Sequence, residues 1–241
     1  MISVLPVEGL PEIRAGDDLG ALVASAAELR AGDVVVVAQK AVSKAEGRVL
    51  LLDEVSPSRR AHELAGPATD VRQLEVILAE SARVVRARGG LVIAETRHGF
   101  VCASAGVDHS NAEPGTVILL PLDPDASARA IRASLARRTG LELAVIVTDS
   151  FGRPFRKGTT DVAIGVAGLS PLRDLRGSLD RSGFSLRSTQ IAVADEIASA
   201  ADLVRTGKAD GLPVVLVRGL RLEGEGAASE LVIPAERDLF R

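Results

Sequence analysis

The stretch VIVTDSFGRPFRKG, residues 145–158, carries an apolar run into a cluster of charged side chains. Its first residues are β-branched and apolar, a composition that favours a buried strand. Asp149 and Ser150 come where the apolar run breaks, and three cations follow within residues 153–157. A carboxylate, a hydroxyl and cations at the end of a strand are typical of a solvated turn or of a site for a metal ion and phosphates.

Strand-like runs recur along the chain, and helical patterns lie between them without a regular βαβ period. The strand-like runs are residues 2–7, 33–38, 90–95, 116–121, 143–149 and 212–219. The helical patterns are residues 17–29, 56–66, 69–88, 123–140 and 193–207. Because no linker or repeat divides the chain, we predict one domain over residues 1–241. Its fold class is α+β with a mixed-strand sheet rather than a doubly wound one.

Composition narrows the class of protein. Of 241 residues, 46% are hydrophobic but only 2% are aromatic, with five Phe and no Trp or Tyr, so the core is aliphatic. The net charge of −3 argues against a general nucleic-acid binder. The single cysteine, Cys102, excludes an intramolecular disulfide, and its apolar neighbours predict a core position. Without a signal peptide or a long apolar segment, we predict a cytoplasmic protein with no membrane partner.

Two further segments combine charged and hydroxyl side chains. Residues 38–48 follow the most apolar strand, and we interpret them as a loop whose Lys40, Ser43 and Lys44 suit phosphate. The alternative is a positively charged, solvated turn. In residues 104–115, the oxygens of Asp108 and Asn111 suit a hard divalent cation.

That second segment also has an alternative interpretation as a capped turn, since Asp and Asn both favour turns. His109 has no second histidine at ligand spacing, so we interpret it as a loop residue. The phosphate-loop, dinucleotide-binding and nucleophile-elbow motifs are absent from the sequence. The residues by themselves therefore indicate a metal-dependent enzyme that handles phosphate.

Eight motifs, taken in chain order, resemble the coenzyme F420:L-glutamate ligase family in its stand-alone form. They are LPVEGLPEIRAGDDL, VSKAEGR, AGVDHSN, PLDPDASA, VIVTDSFGRPFRKG, DVAIGVAGL, VADEIASAADLV and DGLPVVLVRGL. The resemblance implies an α+β fold whose two chains intertwine as a homodimer. It also implies that GTP activates a carboxylate of the coenzyme F420 precursor as an acyl phosphate and that the amine of L-glutamate then forms an amide. Repetition of the step builds a γ-linked tail.

The resemblance also implies the cofactors and the site residues. Two divalent ions, Mg²⁺ or Mn²⁺, are implied, with room for a monovalent cation. Asp108, Asp149 and Ser150 match the metal ligands. Asp149 also belongs to the predicted catalytic set, in which Arg153 or Arg156 orients the acidic acceptor. The residues that match nucleotide contacts are Leu10, Pro11, Glu12, Ile13, Gln39, Lys40, Lys44, Asn111, Arg205, Thr206, Gly207, Lys208, Ala209, Asp210, Gly211 and Leu212.

Some positions depart from the family pattern. Gln39 and Lys40 stand where the archaeal relative has Ser and Thr, and residues 205–212 have no acid where that relative has a glutamate near the second ion. Phe184 replaces a polar residue, which bears on the choice of acceptor. Three alternatives stay open at this point: a ligase of the same fold with another carboxylate acceptor, a non-catalytic nucleotide-binding regulatory protein, and a structural dimer module.

Overall fold

Helices and strands alternate irregularly in the computed structural model, which describes residues 1–205 and 211–239. The helices are α1 (Leu19–Ala26), α2 (Gln39–Ala45), α3 (Arg59–Leu64), α4 (Val71–Glu80), α5 (Pro124–Thr139) and α6 (Val193–Asp202). The strands are β1 (Ser3–Pro6), β2 (Val34–Ala38), β3 (Val49–Leu51), β4 (Ser81–Arg88), β5 (Leu91–Thr96), β6 (Val101–Ala103), β7 (Thr116–Ile118), β8 (Ala144–Gly152), β9 (Thr159–Ala167), β10 (Arg173–Asp174), β11 (Gln190–Ile191) and β12 (Val214–Arg218).

The main sheet has five strands in the order β1-β12-β2-β8-β9. Only β2 and β8 pair in parallel, and every other pair in this sheet is antiparallel. The prediction of an α+β fold with mixed strands is therefore confirmed. Because β2 and β8 run in the same direction, their carboxyl ends lie at the same edge of the sheet, and this edge carries the candidate site.

Helices cover both faces of this sheet. Side chains alternate across a strand, so Val35 and Val37 of β2 pack with α1 and α5 on one face. Val34 and Val36 pack with Ile197 of α6 on the other. All four valines are fully buried, as expected for a central strand enclosed on both sides.

A third apolar cluster joins the smaller sheets β4-β5-β6 and β3-β7. Leu74 and Ile77 of α4 pack there with Val92 of β5 and Val117 of β7. Cys102 of β6 is buried, which confirms its predicted core position. In residues 1–205 and 211–239, no helix combines the length and the apolarity needed to cross a bilayer.

Polar residues define the helix ends that the sequence predicts best. The Asp123 carboxylate accepts the Ala126 N–H at 2.8 Å, Pro124 opens α5, and Gly140 ends the helix in the left-handed conformation. Asp18 caps α1 by accepting the Ala21 N–H at 3.0 Å. These caps confirm the predicted helices around residues 17–29 and 123–140.

Three predictions of local structure are wrong. Residues 81–88 form the strand β4 and not the end of a helix, because pairing with β5 outweighs the local helical pattern. Residues 39–45 form the helix α2 and not a loop. The strand predicted to end at Asp149 continues to Gly152, because it pairs with β9, which the sequence did not indicate.

Candidate active site

A cavity of about 1300 Å³ opens at the carboxyl edge of β2 and β8. It exceeds the few hundred to about 1,000 Å³ typical of a pocket for one small ligand. Its walls come from the N-terminal segment 10–15, from α2, from the loop 108–113, and from residues on both sides of the segment 206–210. The cavity is therefore large enough to hold a nucleotide beside a second substrate.

Most of the predicted site residues lie around this one cavity. Its lining includes Leu10, Pro11, Glu12, Ile13, Gln39, Lys40, Lys44, Asp108, Asn111, Asp149, Ser150, Arg205, Gly211 and Leu212. Thr206, Gly207, Lys208, Ala209 and Asp210 lie outside the described residues.

The two predicted arginines are placed differently. Arg153 and Arg156 occupy the exposed turn between β8 and β9 and are not among the residues that line the cavity. The Arg153 guanidinium donates a hydrogen bond to the Lys157 carbonyl at 2.8 Å. The turn nevertheless follows directly from the strand that carries Asp149 and Ser150 into the cavity.

Lys40 and Asp108 form an ion pair across the cavity wall. The Lys40 Nζ lies 2.7 Å from the Asp108 Oδ2 and also donates to the Ser110 hydroxyl. Asp108 is held in turn by the Ser110 N–H at 2.7 Å and the Ser110 hydroxyl at 3.0 Å. Backbone hydrogen bonds between Asp108 and Ile118 attach this loop to the small sheet. The carboxylate therefore has a fixed position and a cationic partner.

Asp161 is the centre of a buried polar network that sequence reasoning missed. Its carboxylate accepts the Thr148 hydroxyl at 3.0 Å and the Ser150 hydroxyl at 2.7 Å. The Arg205 Nη1 donates to the same carboxylate at 2.8 Å, and the Asp161 side chain is only 5% exposed. The network orients the Ser150 hydroxyl and neutralises Asp161.

The register of the β8–β9 hairpin brings this network together, because Ser150 lies directly opposite Asp161. Arg205 links the network to the main sheet by donating to the Val36 carbonyl at 3.1 Å. Asp161 stands at the start of the motif DVAIGVAGL. That motif is therefore the sequence signal for Asp161, but only the register of the β8–β9 hairpin places Asp161 at the site. Glu113 and Asp202 are two further lining acids that the sequence did not single out.

Asp149 has a different environment from the other two aspartates. Burial raises the pKa of Asp149 to about 7, and the nearby carboxylates of Asp161 and Asp108 add to the rise. The Ser150 N–H and the Lys40 charge act in the opposite direction. Among the described basic side chains, none forms an ion pair with Asp149. A carboxylate so surrounded is stabilised in its charged form by a cation.

The donor set at this point fits a hard divalent cation. Asp149 and Asp108 offer carboxylate oxygens and Ser150 offers a hydroxyl, and these are the ligand types that Mg²⁺ and Mn²⁺ prefer. Within the part of the chain that the structure describes, no three His, Cys, Asp or Glu side chains form a ready-made metal cluster. An ion at Asp149 would therefore need oxygens from water or from a bound substrate as well, which is the usual arrangement for Mg²⁺ beside phosphates.

Two lysines present positive charge to the cavity. The Lys44 Nζ pairs with the Glu12 carboxylate at 2.5 Å, and this pair joins α2 to the N-terminal segment. Gln39 is buried at the start of α2, where its amide oxygen accepts the Ser43 hydroxyl at 2.9 Å. Gln39 therefore supports the helix that presents Lys40 and Lys44.

Cys102 lies beside Asp149 in a smaller adjoining pocket of about 140 Å³, and we expect its thiol to be unreactive. Burial raises the pKa of Cys102 to about 12, and the Asp149 charge adds to the rise.

The thiolate is the reactive form of a cysteine. At pH 8 the folded protein should react with iodoacetamide at least about 100-fold more slowly than the urea-unfolded protein. Rates within tenfold of each other, measured by mass spectrometry, would refute this.

The fold and the cavity first define a class: an α+β protein with a large cavity lined by carboxylates, lysines and an arginine. Over residues 9–219 the chain matches the family described as F420-0:Gamma-glutamyl ligase. It is 46% identical over 249 residues to the coenzyme F420:L-glutamate ligase of Methanothermobacter thermautotrophicus, with 100% of this chain and 99% of that protein aligned. The chain therefore belongs to the F420-0:gamma-glutamyl ligase family, and its class of enzyme is the ligases.

Other relatives agree with this assignment. The coenzyme F420:L-glutamate ligase of Methanopyrus kandleri is also 46% identical, over 100% of this chain and 99% of that protein. That of Archaeoglobus fulgidus is 41% identical, over 100% of this chain and 96% of that protein. The family resemblance of the sequence motifs is thus confirmed.

Proposed function

We propose that the protein joins L-glutamate to a carboxylate of the coenzyme F420 precursor, with GTP and a divalent cation, Mg²⁺ or Mn²⁺, as the activating pair. The observation that carries the proposal is the single cavity of about 1300 Å³ that Asp149 and Ser150 line together with Lys40 and Lys44. Family membership supports the ligase chemistry, and the names of the relatives support L-glutamate and the coenzyme precursor as substrates.

The reaction has two steps. A carboxylate oxygen of the precursor attacks the γ-phosphorus of GTP, the bond from that phosphorus to the bridging oxygen breaks, and GDP leaves. The amine nitrogen of L-glutamate then attacks the acyl carbon, and the carbon–oxygen bond to phosphate breaks. Inorganic phosphate and a proton are released and an amide remains. Because the product ends in a carboxylate, as the precursor does, the same site accepts it for a further round.

The charge of each lining residue indicates whether it binds the phosphates or the divalent ion. Lys40 and Lys44 present ammonium groups that attract the phosphates as point charges. Asp149 and Ser150, with Asp108 as the third predicted ligand, would hold the divalent ion. When bound, that ion neutralises charge on the phosphates during transfer. Asp161 keeps the Ser150 hydroxyl in place by accepting a hydrogen bond from it at 2.7 Å.

Apolar and exposed parts of the site have further roles. Leu10 and Ile13 give the N-terminal wall an apolar surface that limits the access of water to the acyl phosphate. Arg153 and Arg156 lie where a flexible acidic tail outside the cavity would meet positive charge, so their role in orienting the acceptor stays a prediction. The intertwined homodimer, the monovalent cation and the cytoplasmic location also stay predictions.

The experiment that tests the proposal follows both products of one reaction. Purified protein is incubated with GTP, MgCl₂ or MnCl₂, L-glutamate and the glutamate-free precursor. Mass spectrometry measures the product, and chromatography measures GDP. We expect mass increments of one glutamyl residue with an equal amount of GDP, and we expect ATP to support less product. A parallel reaction with EDTA should give neither product.

The other outcomes separate the alternatives. GDP release that depends on another carboxylic acid, without a glutamyl increment on the precursor, would replace the proposed acceptor. Tight GTP binding with neither GDP nor an amide would favour a regulatory protein instead. An equal rate with EDTA would remove the divalent cation from the proposal.

A further inference from the structure

Three cations stand on the turn between β8 and β9, and the turn carries no acid. Residues 152–159 are all exposed, and their charged members are Arg153, Arg156 and Lys157. Among the acids that the structure describes, none forms an ion pair with these three side chains. The turn therefore presents three positive charges to the solvent, in a chain whose net charge is −3.

This turn forms part of the rim of the candidate site. Gly152, at its start, lines the smaller pocket, and Thr159, at its end, lines the large cavity. The strands β8 and β9 stay paired from the site up to these two residues. Arg153 follows Ser150 by three residues, which is about 10 Å along a strand that rises about 3.4 Å per residue. A part of a substrate that extends out of the cavity past Ser150 therefore meets the three cations.

Hydrogen bonds and backbone conformation give the turn a defined shape. The Arg156 N–H donates to the Arg153 carbonyl at 3.2 Å, and the Arg153 Nη2 donates to the Lys157 carbonyl at 2.8 Å. At the tip, Phe155 adopts the left-handed conformation with a φ of +61°, which is unusual for a bulky residue. Such strain persists only where the surrounding structure imposes it, and it is frequent in segments that hold a ligand. The cations are therefore presented from a fixed loop.

We propose that the β8–β9 turn, residues 153–158, binds the carboxylates of glutamyl residues already joined to the acceptor, and so favours the second and later additions over the first. The inference rests on the proposed function for the chemistry of this tail. Each round converts one carboxylate into an amide and brings the two carboxylates of a new glutamate. The acceptor thus gains one negative charge per round, and its attraction to the turn grows with the length of the tail.

The direction of the tail follows from the chemistry of the site. The terminal carboxylate has to enter the cavity to be activated, so the glutamyl residues added earlier lie outward from it, towards the rim. In a γ-linked tail each of these residues keeps its α-carboxylate. Guanidinium groups bind a carboxylate through two parallel hydrogen bonds, and an ammonium group binds it as a point charge. The α-carboxylates are therefore the groups that the turn would recognise.

The first test measures binding of the tail alone to the nucleotide-free protein. γ-Linked peptides of two and of four glutamates are titrated into ¹⁵N-labelled protein, and NMR follows the backbone amides of residues 152–159. At low salt we expect the longer peptide to bind at least about fivefold more tightly, since each exposed charge contact contributes about two- to threefold. The difference should disappear in about 1 M NaCl, because salt screens exposed charges. The longer peptide with amidated α-carboxylates should leave these amides unshifted.

A variant of the turn tests whether its cations cause the preference for the longer peptide. The turn variant carries Arg153→Gln, Arg156→Gln and Lys157→Gln, and it should bind the two peptides with affinities within about twofold of each other. In turnover, it should raise the KM of an acceptor with two glutamyl residues at least about fivefold more than it raises the KM of the glutamate-free precursor. Its products should also carry shorter tails.

The matched control removes three positive charges elsewhere on the surface. Arg86 and Arg88 of β4 and Arg137 of α5 are exposed and are not among the residues that line the cavity. Their joint change to Gln should keep the wild-type preference for the longer peptide and the wild-type tail lengths.

Three results would overturn the inference. They are equal affinity of the two peptides for the wild type, an unchanged preference in the turn variant, and amide shifts confined to residues outside 152–159. Because the titration involves no turnover, it can support the inference where no glutamyl product forms, and it can fail where the product does form. Failure of the inference and failure of the proposed function are thus distinguishable.

Discussion

Asp149→Asn should lower the rate of amide formation about 100-fold or more, the scale of losing one preorganised electrostatic group at a reacting centre. Asp149 forms no ion pair with a described basic residue, and it lines the cavity beside Ser150. Asn keeps the size of the side chain but removes the charge that would hold the ion. The measurement is the steady-state rate of GDP release and of glutamyl product at saturating Mg²⁺.

Asp174→Asn is the matched control for this substitution. Asp174 lies in β10 and pairs with Arg176 on the exposed surface, so its loss should leave the rate within about twofold of the wild type. The two variants make the same chemical change in different places. If Asp149→Asn kept more than a third of the wild-type rate, the assignment of the metal site to Asp149 would be wrong.

Arg205→Met should lower the free energy of unfolding by about 3–5 kcal/mol, since it leaves the buried Asp161 carboxylate without its cation. Arg205 and Asp161 are 10% and 5% exposed, so solvent screens their interaction little. The same substitution also removes the hydrogen bond from the Arg205 Nη2 to the Val36 carbonyl. Urea denaturation followed by circular dichroism measures the change.

Two comparisons show whether the loss comes from an unpaired buried charge. The double variant Arg205→Met with Asp161→Asn should be more stable than Arg205→Met alone, because no buried charge remains unpaired. Arg30→Met removes the exposed pair with Glu28 and should lower the free energy of unfolding far less than Arg205→Met does, because solvent screens that pair. A loss below about 1 kcal/mol in Arg205→Met, or a double variant less stable than the single one, would contradict the account.

The fold could be predicted from the sequence wherever local signals and tertiary packing agree. Helix α5 has an Asp cap, a Pro at its start and a left-handed Gly at its end, so its bounds follow from the residues themselves. The prediction of a helix over residues 81–88 failed because the run after α4 contains no Gly or Pro to stop a helix. Pairing with β5 decides the conformation of these residues. The prediction of a loop in place of helix α2 failed for a related reason: Ala38 at the start of the helix provides no side-chain cap.

The charged segments of the candidate site could be predicted from the sequence, but the contacts between these segments could not. Asp149 and Lys44 stand out because polar residues follow apolar strands, and Asn111 stands out because potential ligands crowd residues 108–111. Asp161 does not stand out, since its role depends on lying opposite Ser150 in an antiparallel pair. The contrast between Asp108, which has Lys40, and Asp149, which has no described cationic partner, also depends on contacts between segments far apart in sequence.

Transfer of an oxygen atom from the acceptor to phosphate tests the central claim most directly, because it reports activation of a carboxylate by phosphoryl transfer. The precursor is labelled with ¹⁸O in its carboxylate and incubated with GTP, Mg²⁺ and L-glutamate. Mass spectrometry then measures the inorganic phosphate. The account predicts one ¹⁸O atom in the phosphate for each first glutamyl residue that is joined to the precursor. Formation of that first amide with unlabelled phosphate would contradict it.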